Sequence, residues 1–314
     1  MRVLVTGAGG FLGSSVVPGL RDAGHEVIAT DLRAPYEVMD VRDAAGVLGV
    51  FERHRPEVVV HLASIVTPGK DSDRCGEFAV DVEGSRNVVA ACRAAGVRRI
   101  VVSSSGAAYG YHADNPVPLR ETDPLRGNPE FAYADHKRQV EEMLAAERAQ
   151  NPELEQVVLR IGTILGERVD NQITRLWEGP AILRIAGQES PFVLVWDRDV
   201  VAVIQAAVTT EHPGIYNVAG QGSVSVREIG RALGKWTVAV PERLLQGVLT
   251  VGKRLGLTPY GPEQTVFLAH RPVLDASRLQ ALGVPVTPTW EVLQRYAEVV
   301  RRRRARGERP SSGR

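Results

Sequence analysis

A chain of 314 residues, 44% hydrophobic and 24% charged, has an ordinary globular composition and length for one large domain, or for a nucleotide domain with a smaller partner. A net charge of +1 gives no reason to expect a nucleic-acid partner, and no apolar run approaches membrane-spanning length. Cys75 and Cys92 have neither pairing nor metal spacing, and the seven histidines form no His-x-x-x-His cluster, so no metal site is expected.

The chain begins on an apolar run, Val3-Leu4-Val5, read as a buried strand that leaves no room for a cleaved signal peptide; a cytoplasmic location is expected. A glycine-rich turn follows at Thr6 to Gly10, and Phe11 to Ala23 reads as a helix despite Pro18 and Gly19. Strand, glycine turn and helix form the geometry that binds a pyrophosphate: glycine lets backbone N–H groups approach, and the helix start adds partial positive charge. A second strand at 26–33 carries Asp31, eighteen residues after Gly13. A carboxylate there accepts hydrogen bonds from ribose hydroxyls and repels a 2′-phosphate, which makes NAD the expected cofactor. Arg33 partly offsets that repulsion.

Val58-Val59-Val60-His61-Leu62 is the run expected of a strand covered on both faces. Val80 to Ala95 reads as a helix with Val82, Val88, Val89 and Cys92 inward, ending at Gly96. Ile100-Val101-Val102 is a strand running into Ser103-Ser104-Ser105. The alternation implies an α/β fold with a doubly wound parallel sheet of Rossmann type. Residues 106–131, rich in Gly, Pro and Asn, read as a long surface loop over the sheet's C-terminal edge. Ala132 to Gln150 is a helix and Gln156 to Ile161 a strand.

Beyond 161 the pattern loosens. Residues 162–191 read as irregular, Val193 to Val195 as a short strand, and Asp199 opens a helix through Val208. Gly214 to Gly220 is a strand returning to the sheet, Ser225 and Glu228 form a capping box, and Leu244 to Leu257 and Thr289 to Arg301 are helices. The expected organisation is a dinucleotide-binding domain at 1–161, completed by about 199–220. A smaller, interleaved substrate-binding region comes from 162–198 and 221–300. Residues 301–314 form a flexible basic tail.

A second constellation is Ser103-Ser-Ser-Gly-Ala-Ala-Tyr-Gly110 followed by Tyr133-Ala-Asp-His-Lys137. Tyr-x-x-x-Lys alone means only two side chains on one helix face. Here it falls 28 residues after a strand ending in serines, in a chain with a dinucleotide turn. That combination resembles the extended branch of the short-chain dehydrogenase/reductase superfamily. The branch includes NAD-dependent sugar epimerases and dehydratases and 3β-hydroxysteroid dehydrogenases. The resemblance covers roughly residues 1–240.

It implies Ser105, Tyr133 and Lys137 as the catalytic residues. Thr6, Gly7, Gly10, Phe11, Leu12 and Gly13 match its cofactor signature, and Asp31 its acidic residue of NAD users. Asp40 and Val41 match an adenine-contacting pair, and Leu62 and Ala63, after His61, a strand motif beside the cofactor. Tyr133 and Lys137 also hold the cofactor. Leu159-Arg160 with Gly166, and Asp199-Val200, have counterparts as well. A tyrosine, with an ordinary pKa of about 10, is a poor base at neutral pH. A lysine one helical turn away, with the positive nicotinamide, stabilises its phenolate. The resemblance also implies a homodimer through the helices at 80–95 and 132–150, and a small-molecule substrate.

Four departures narrow that substrate. Gly106-Ala107 stands where sugar 4,6-dehydratases carry Asp-Glu, which disfavours water elimination. Thr163 replaces a nucleotide-holding Asn, Phe192 replaces a phosphate-contacting Arg, and Asp81 replaces the Asn of Asn-Val-x-Gly. Arg168, Arg175, Arg184 or Arg198 could restore a phosphate contact. Leu244, Leu245, Val248, Leu249 and Leu255 read either as an apolar lid or as ordinary helix packing. The leading reading is an NAD-dependent oxidoreductase acting on a secondary alcohol or ketone. The first alternative is a nucleotide-sugar epimerase that retains its NAD. The second is a dinucleotide-sensing protein without turnover, against which the intact Ser105, Tyr133 and Lys137 argue.

Overall fold

The computed structural model describes residues 1–66, 73–169, 171–255, 261 and 264–307. Its strands are β1 Arg2–Thr6, β2 Glu26–Asp31, β3 Glu37–Val38, β4 Val58–His61, β5 Arg99–Ser105, β6 Glu155–Ile161, β7 Thr163–Leu165, β8 Ala181–Ile185, β9 Leu194–Trp196, β10 Gly214–Val218 and β11 Trp236–Val240. Seven of them form one parallel sheet in the order β10-β6-β5-β4-β1-β2-β3. Side chains alternate across it. Val3, Val5, Val58 and Val60 meet the helices Gly13–Asp22 and Asp197–Thr209 through Val16, Leu20, Val203 and Ile204. Leu4 and Val59 face the other layer, Ala44–His54, Gly84–Ala94 and Ala132–Gln150, through Phe51, Val88 and Leu144. Cover on both faces is why these strands read as continuous apolar runs.

From β1 the chain winds outward to β3, and from β4 in the opposite direction to β6 and β10. That reversal leaves a crevice at the C-terminal ends of β1 and β4, the general ligand position of doubly wound sheets. Two small parallel pairs, β7–β9 and β8–β11, stand beyond it. The smaller region packs its own core around Trp177, Phe192, Trp196 and Tyr296. Leu279 and Leu282 of the late chain join the sheet core instead.

The structure corrects several sequence expectations. Residues 106–131 are a surface loop only in part. Tyr109, Tyr111, Leu119 and Asn128 are buried, and Leu119 exchanges backbone hydrogen bonds with Val273 and Asp275 at 2.6 and 2.7 Å. Its glycines and prolines do make turns, but the aromatic side chains between them need an interior. The helix expected at 80–95 begins at Arg74, where Asp73 accepts from the Gly76 N–H at 2.7 Å. It carries a π turn at Ala79–Glu83, whose extra residue lies where Asp81 bonds Ser64, Ile65 and His136.

The flexible tail does not start at 301. The last helix is Thr289–Ala305, and Arg303 and Arg304 donate to the backbone carbonyls of Glu167 and Leu233. Residues 308–314 of that expected tail lie outside the described residues. The irregular stretch 162–191 contains β7, a helix at Gln172–Leu176 and β8. Of the apolar stripe at 244–255, Leu245 packs on Ile185, Ala269 and Leu249, whereas Leu244, Val248 and Leu255 are exposed, so ordinary packing accounts for part of it only. The capping box forms as expected, with Ser225 and Glu228 exchanging bonds.

Candidate active site

The crevice is organised by a buried polar chain under β1 and β4. The Thr6 hydroxyl accepts from the N–H groups of Leu62 and Ala63, both at 3.2 Å, so its proton points to His61 Nδ1 at 2.8 Å. That assigns the imidazole proton to Nε2, which donates to Ser85 Oγ at 3.0 Å, and Ser85 donates to the Asp81 carbonyl. Burial, reinforced by the positive charge of Lys137, pushes the His61 pKa down to about 3, so it works as a neutral relay of hydrogen bonds. Burial alone would raise the Asp81 carboxyl. Hydrogen bonds from His136, Ile65 and Ser64 and the charge of Lys137 outweigh it and hold the group below its ordinary value. His136 Nδ1 lies 3.1 Å from that carboxylate, with both side chains almost wholly enclosed.

The glycine turn needs its glycines for two separate reasons. Gly7 has φ +67°, and a Cβ there would sit 2.8 Å from the Ala63 nitrogen. At Gly13 a Cβ would fall 2.2 Å from the Gly7 carbonyl oxygen, so any side chain would push the helix off the strand. A helix start leaves its first N–H groups without intrahelical partners. Here that start, Phe11 to Gly13, lines a cavity of about 360 Å³ together with Gly7, Gly10 and Leu62. The donor set, close-packed glycines and helix start fit a dinucleotide.

The same cavity is lined by Ser103, Ser104 and Ser105 from β5, by Tyr133 and Lys137 from the helix Ala132–Gln150, and by Gly162 and Thr163 after β6. Lys137 Nζ donates to the Ser103 carbonyl at 3.0 Å and lies 5.7 Å from the Tyr133 ring centroid. Ser105 Oγ accepts from the Ala107 N–H at 3.1 Å, which turns the hydroxyl toward the cavity end of β5. A buried ion pair clamps this helix to the sheet. Arg160 donates through Nε and Nη2 to Glu141 at 2.9 and 2.8 Å, and through Nη1 to Tyr109 Oη at 2.7 Å. Burial alone would lower the Arg160 pKa; the Glu141 charge and hydrogen bonds reverse that.

The remaining expected residues stand outside the cavity lining. Thr6 and Ala63 lie beneath it in the polar chain. Asp31 accepts from the Gly9 N–H at 2.9 Å, which ties the end of β2 to the glycine turn. The Asp40 carboxylate pairs with Arg42 at 2.6 Å, and the Val41 carbonyl accepts from Asn87. None of the arginines proposed to replace Phe192, namely 168, 175, 184 and 198, belongs to the described lining. Arg271 does, with its guanidinium carbon 3.9 Å from the Phe192 ring centroid and 4.1 Å from that of Phe267. Sequence reasoning passed over Arg271, Tyr111, Phe131 and Phe267. The one local signal was a charge, Arg271, set in an apolar stretch between Val266 and Leu274.

A doubly wound parallel sheet, a glycine turn opening a helix and an acidic residue at the end of β2 define a Rossmann-type dinucleotide-binding protein. The profile of the NAD dependent epimerase/dehydratase family matches residues 3–219. The chain therefore belongs to the NAD-dependent epimerase/dehydratase family. It is similar to an uncharacterised protein of Mycobacterium tuberculosis, 24% identical with 96% of this chain and 84% of that one covered. It is also similar to the UDP-glucose 4-epimerase of Erwinia amylovora, 30% identical over 55% of this chain and 56% of that one.

Among solved structures, a short-chain dehydrogenase/reductase superfamily protein from Agrobacterium tumefaciens with bound NAD superposes with a TM-score of 0.75, covering 98% of this chain and 99% of that one at 23% identity. The Thermus thermophilus UDP-glucose 4-epimerase in complex with NAD gives 0.70 at 27% identity, covering 96% and 99%.

Proposed function

We propose that the protein is an NAD-dependent oxidoreductase acting at a secondary alcohol or ketone, with residues 162–198 and 221–300 supplying the substrate side of the cleft. The observation that carries this is that Ser105, Tyr133 and Lys137 line the same cavity as the glycine turn. NAD, when bound, supplies the hydride acceptor. The Tyr133 oxygen takes the proton of the substrate hydroxyl as its carbon loses hydride, and returns it in the reverse direction. Lys137, fixed by the Ser103 carbonyl, stabilises the phenolate and holds the nicotinamide ribose. Ser105 orients the substrate oxygen. Gly7, Gly10 and the first turn from Phe11 hold the pyrophosphate, Asp31 the adenosine ribose, and Asp40 and Val41 the adenine side.

Similarity to UDP-glucose 4-epimerases supports a second reading, an epimerase that keeps its NAD. Thr163 and Phe192 in the cavity wall, where sugar-nucleotide enzymes carry Asn and Arg, favour the first. The two free thiols, Cys75 exposed and Cys92 buried, suit the reducing cytoplasm.

One titration series tests the cofactor and the reaction together. Fluorescence titration is expected to give tighter binding of NAD than of NADP, because Asp31 meets the 2′-phosphate as a like charge. With a substrate, NADH should appear in solution. An equal or tighter NADP constant would remove Asp31 from its role, and NAD that stays bound through gel filtration with no net NADH would favour the epimerase.

We also propose a homodimer through the helices at 80–95 and 132–150. Their outer faces expose Ala90, Ala94, Ala145, Ala146 and Ala149, small residues that permit close helix approach. Light scattering at micromolar concentration should read twice the mass of one chain; a monomer there refutes it.

A further inference from the structure

The cavity's charge is one-sided. Its described lining contains two cations, Lys137 and Arg271, and no carboxylate. Lys137 is already engaged with the Ser103 carbonyl. Arg271 is not balanced in any comparable way. Its Nε and Nη2 are enclosed and have no hydrogen-bond partner, and it makes no ion pair with a described residue. Its faces are covered by Phe192 and Phe267, which support the cation through their rings but satisfy none of its N–H groups. Tyr111 packs edge-on against Phe267 with ring centroids 5.1 Å apart, closing the aromatic wall. Burial pushes the guanidinium pKa down to about 9, which leaves it protonated at neutral pH.

Arg271 as a whole is half-buried, but leaving two enclosed N–H-bearing nitrogens without a partner costs free energy that two aromatic faces do not return in hydrogen bonds. A residue kept at that cost inside the reaction cavity points to an anion that completes it. The aromatic faces also restrict the approach. A ligand cannot stack on the guanidinium, so it must come edge-on, at the Nη1 end that lies outside the enclosed pair Nε and Nη2. The charge count restricts it further. One uncommitted positive charge balances one negative charge, whereas a nucleoside diphosphate brings at least two. The arginine expected at position 192 to meet phosphate is absent.

We infer that the substrate carries a single carboxylate, seated edge-on against Arg271 between Phe192 and Phe267, which holds the hydroxyl-bearing carbon at the Tyr133 end of the cavity. This deepens the proposed function and rests on it for the position of the reacting carbon, but the anion seat stands on Arg271 alone.

The test is calorimetry on NAD-saturated protein with lactate and glucuronate as carboxylate probes, glycerol and glucose as their uncharged counterparts, and pyrophosphate and UDP-glucose. The wild type is expected to bind at least one carboxylate in preference to its uncharged counterpart. Arg271→Met should lose about tenfold or more of that affinity, the scale of a charge-assisted hydrogen bond. NAD titration should be unchanged, and Arg271→Lys should keep the charge but lose the planar guanidinium that fits between the two rings, falling between the two. The ligand-free Arg271→Met protein should melt no lower than wild type, because it sheds an unpaired buried charge; a structural arginine would lower the melting temperature.

The seat is refuted if Arg271→Met binds the carboxylates as wild type does, or if no carboxylate binds the wild type. It is equally refuted if pyrophosphate and UDP-glucose bind through Arg271 while the carboxylates do not. None of these readings needs turnover, so an inactive protein that binds carboxylate would overturn the proposed reaction and leave the seat standing.

Discussion

Tyr133→Phe is expected to cut turnover by at least about two orders of magnitude, since general acid–base catalysis is typically worth 10²–10⁴-fold. The substitution removes the phenolic oxygen and keeps the ring that packs in the aromatic cluster with Tyr111, Phe131 and Phe267. NAD affinity should therefore barely move, because the proposed function draws the pyrophosphate contacts from the glycine turn and the ribose contacts from Lys137. Lys137→Met should damage both, since Nζ also spans the gap to the Ser103 carbonyl. A slow surrogate ketone with NADH supplies the rate, and calorimetry supplies cofactor affinity without any substrate. If Tyr133→Phe turns over like wild type, the dinucleotide-sensing reading takes the lead.

Arg160→Met should produce the largest loss of stability among the substitutions considered. The Glu141 and Arg160 side chains are 3% and 4% exposed, and Ser104 donates to the same carboxylate. Removing the guanidinium leaves a buried carboxylate whose remaining hydrogen bond comes from one serine hydroxyl, with only the more distant Arg148 charge beside it. Breaking a buried pair in this way costs about 3–5 kcal/mol, a large part of the roughly 5–15 kcal/mol that holds a domain folded. Denaturant midpoints should fall accordingly. Pairing it with Glu141→Leu should recover most of the loss, because an apolar replacement of both partners leaves no orphan charge. A single-variant loss below about 1 kcal/mol would show that water reaches Glu141 and that the clamp is weaker than its geometry indicates.

The two predictions rest on features of different legibility. The strands around Val3, Val58, Ile100 and Val157 could be read directly, because cover on both faces turns them into apolar runs. The glycine turn was equally plain, since its spacing is dictated by contacts within a few residues, such as that between Gly13 and the Gly7 carbonyl. Ser105, Tyr133 and Lys137 were legible as a pattern, and the fold brings them to one wall.

The Arg271 seat was not legible. Its character comes from Phe192 and Phe267, which reach it from separate parts of the chain, and no local spacing encodes that meeting. β8 and β11 were missed for a related reason. They are a two-stranded parallel pair whose outer face, at Leu183, Trp236 and Val238, is exposed, so they show neither a covered run nor a clean alternation. The buried anchor points of 106–131, at Tyr109, Tyr111, Leu119 and Asn128, escaped because turn residues signal a change of direction, not the depth at which it occurs.

The layout of the main sheet also sets a timetable for synthesis. Val3, Val5, Val58 and Val60 are covered in part by the helix Asp197–Thr209, and the open edge of β6 is closed by β10. A ribosome that has just delivered Ile161 has made six of the seven sheet strands, but neither that helix nor the closing strand. At roughly 5–20 residues per second, the wait until Val218 lasts roughly 3–11 s. Through that interval the nascent chain presents a half-covered valine face and an unpaired parallel edge, the two features that invite association with a neighbour. The first 161 residues hold six of the seven sheet strands but not all of the cover that those strands need. Chaperone occupancy on translating ribosomes should peak in that window and fall once the strand ending at Val218 has cleared the exit tunnel.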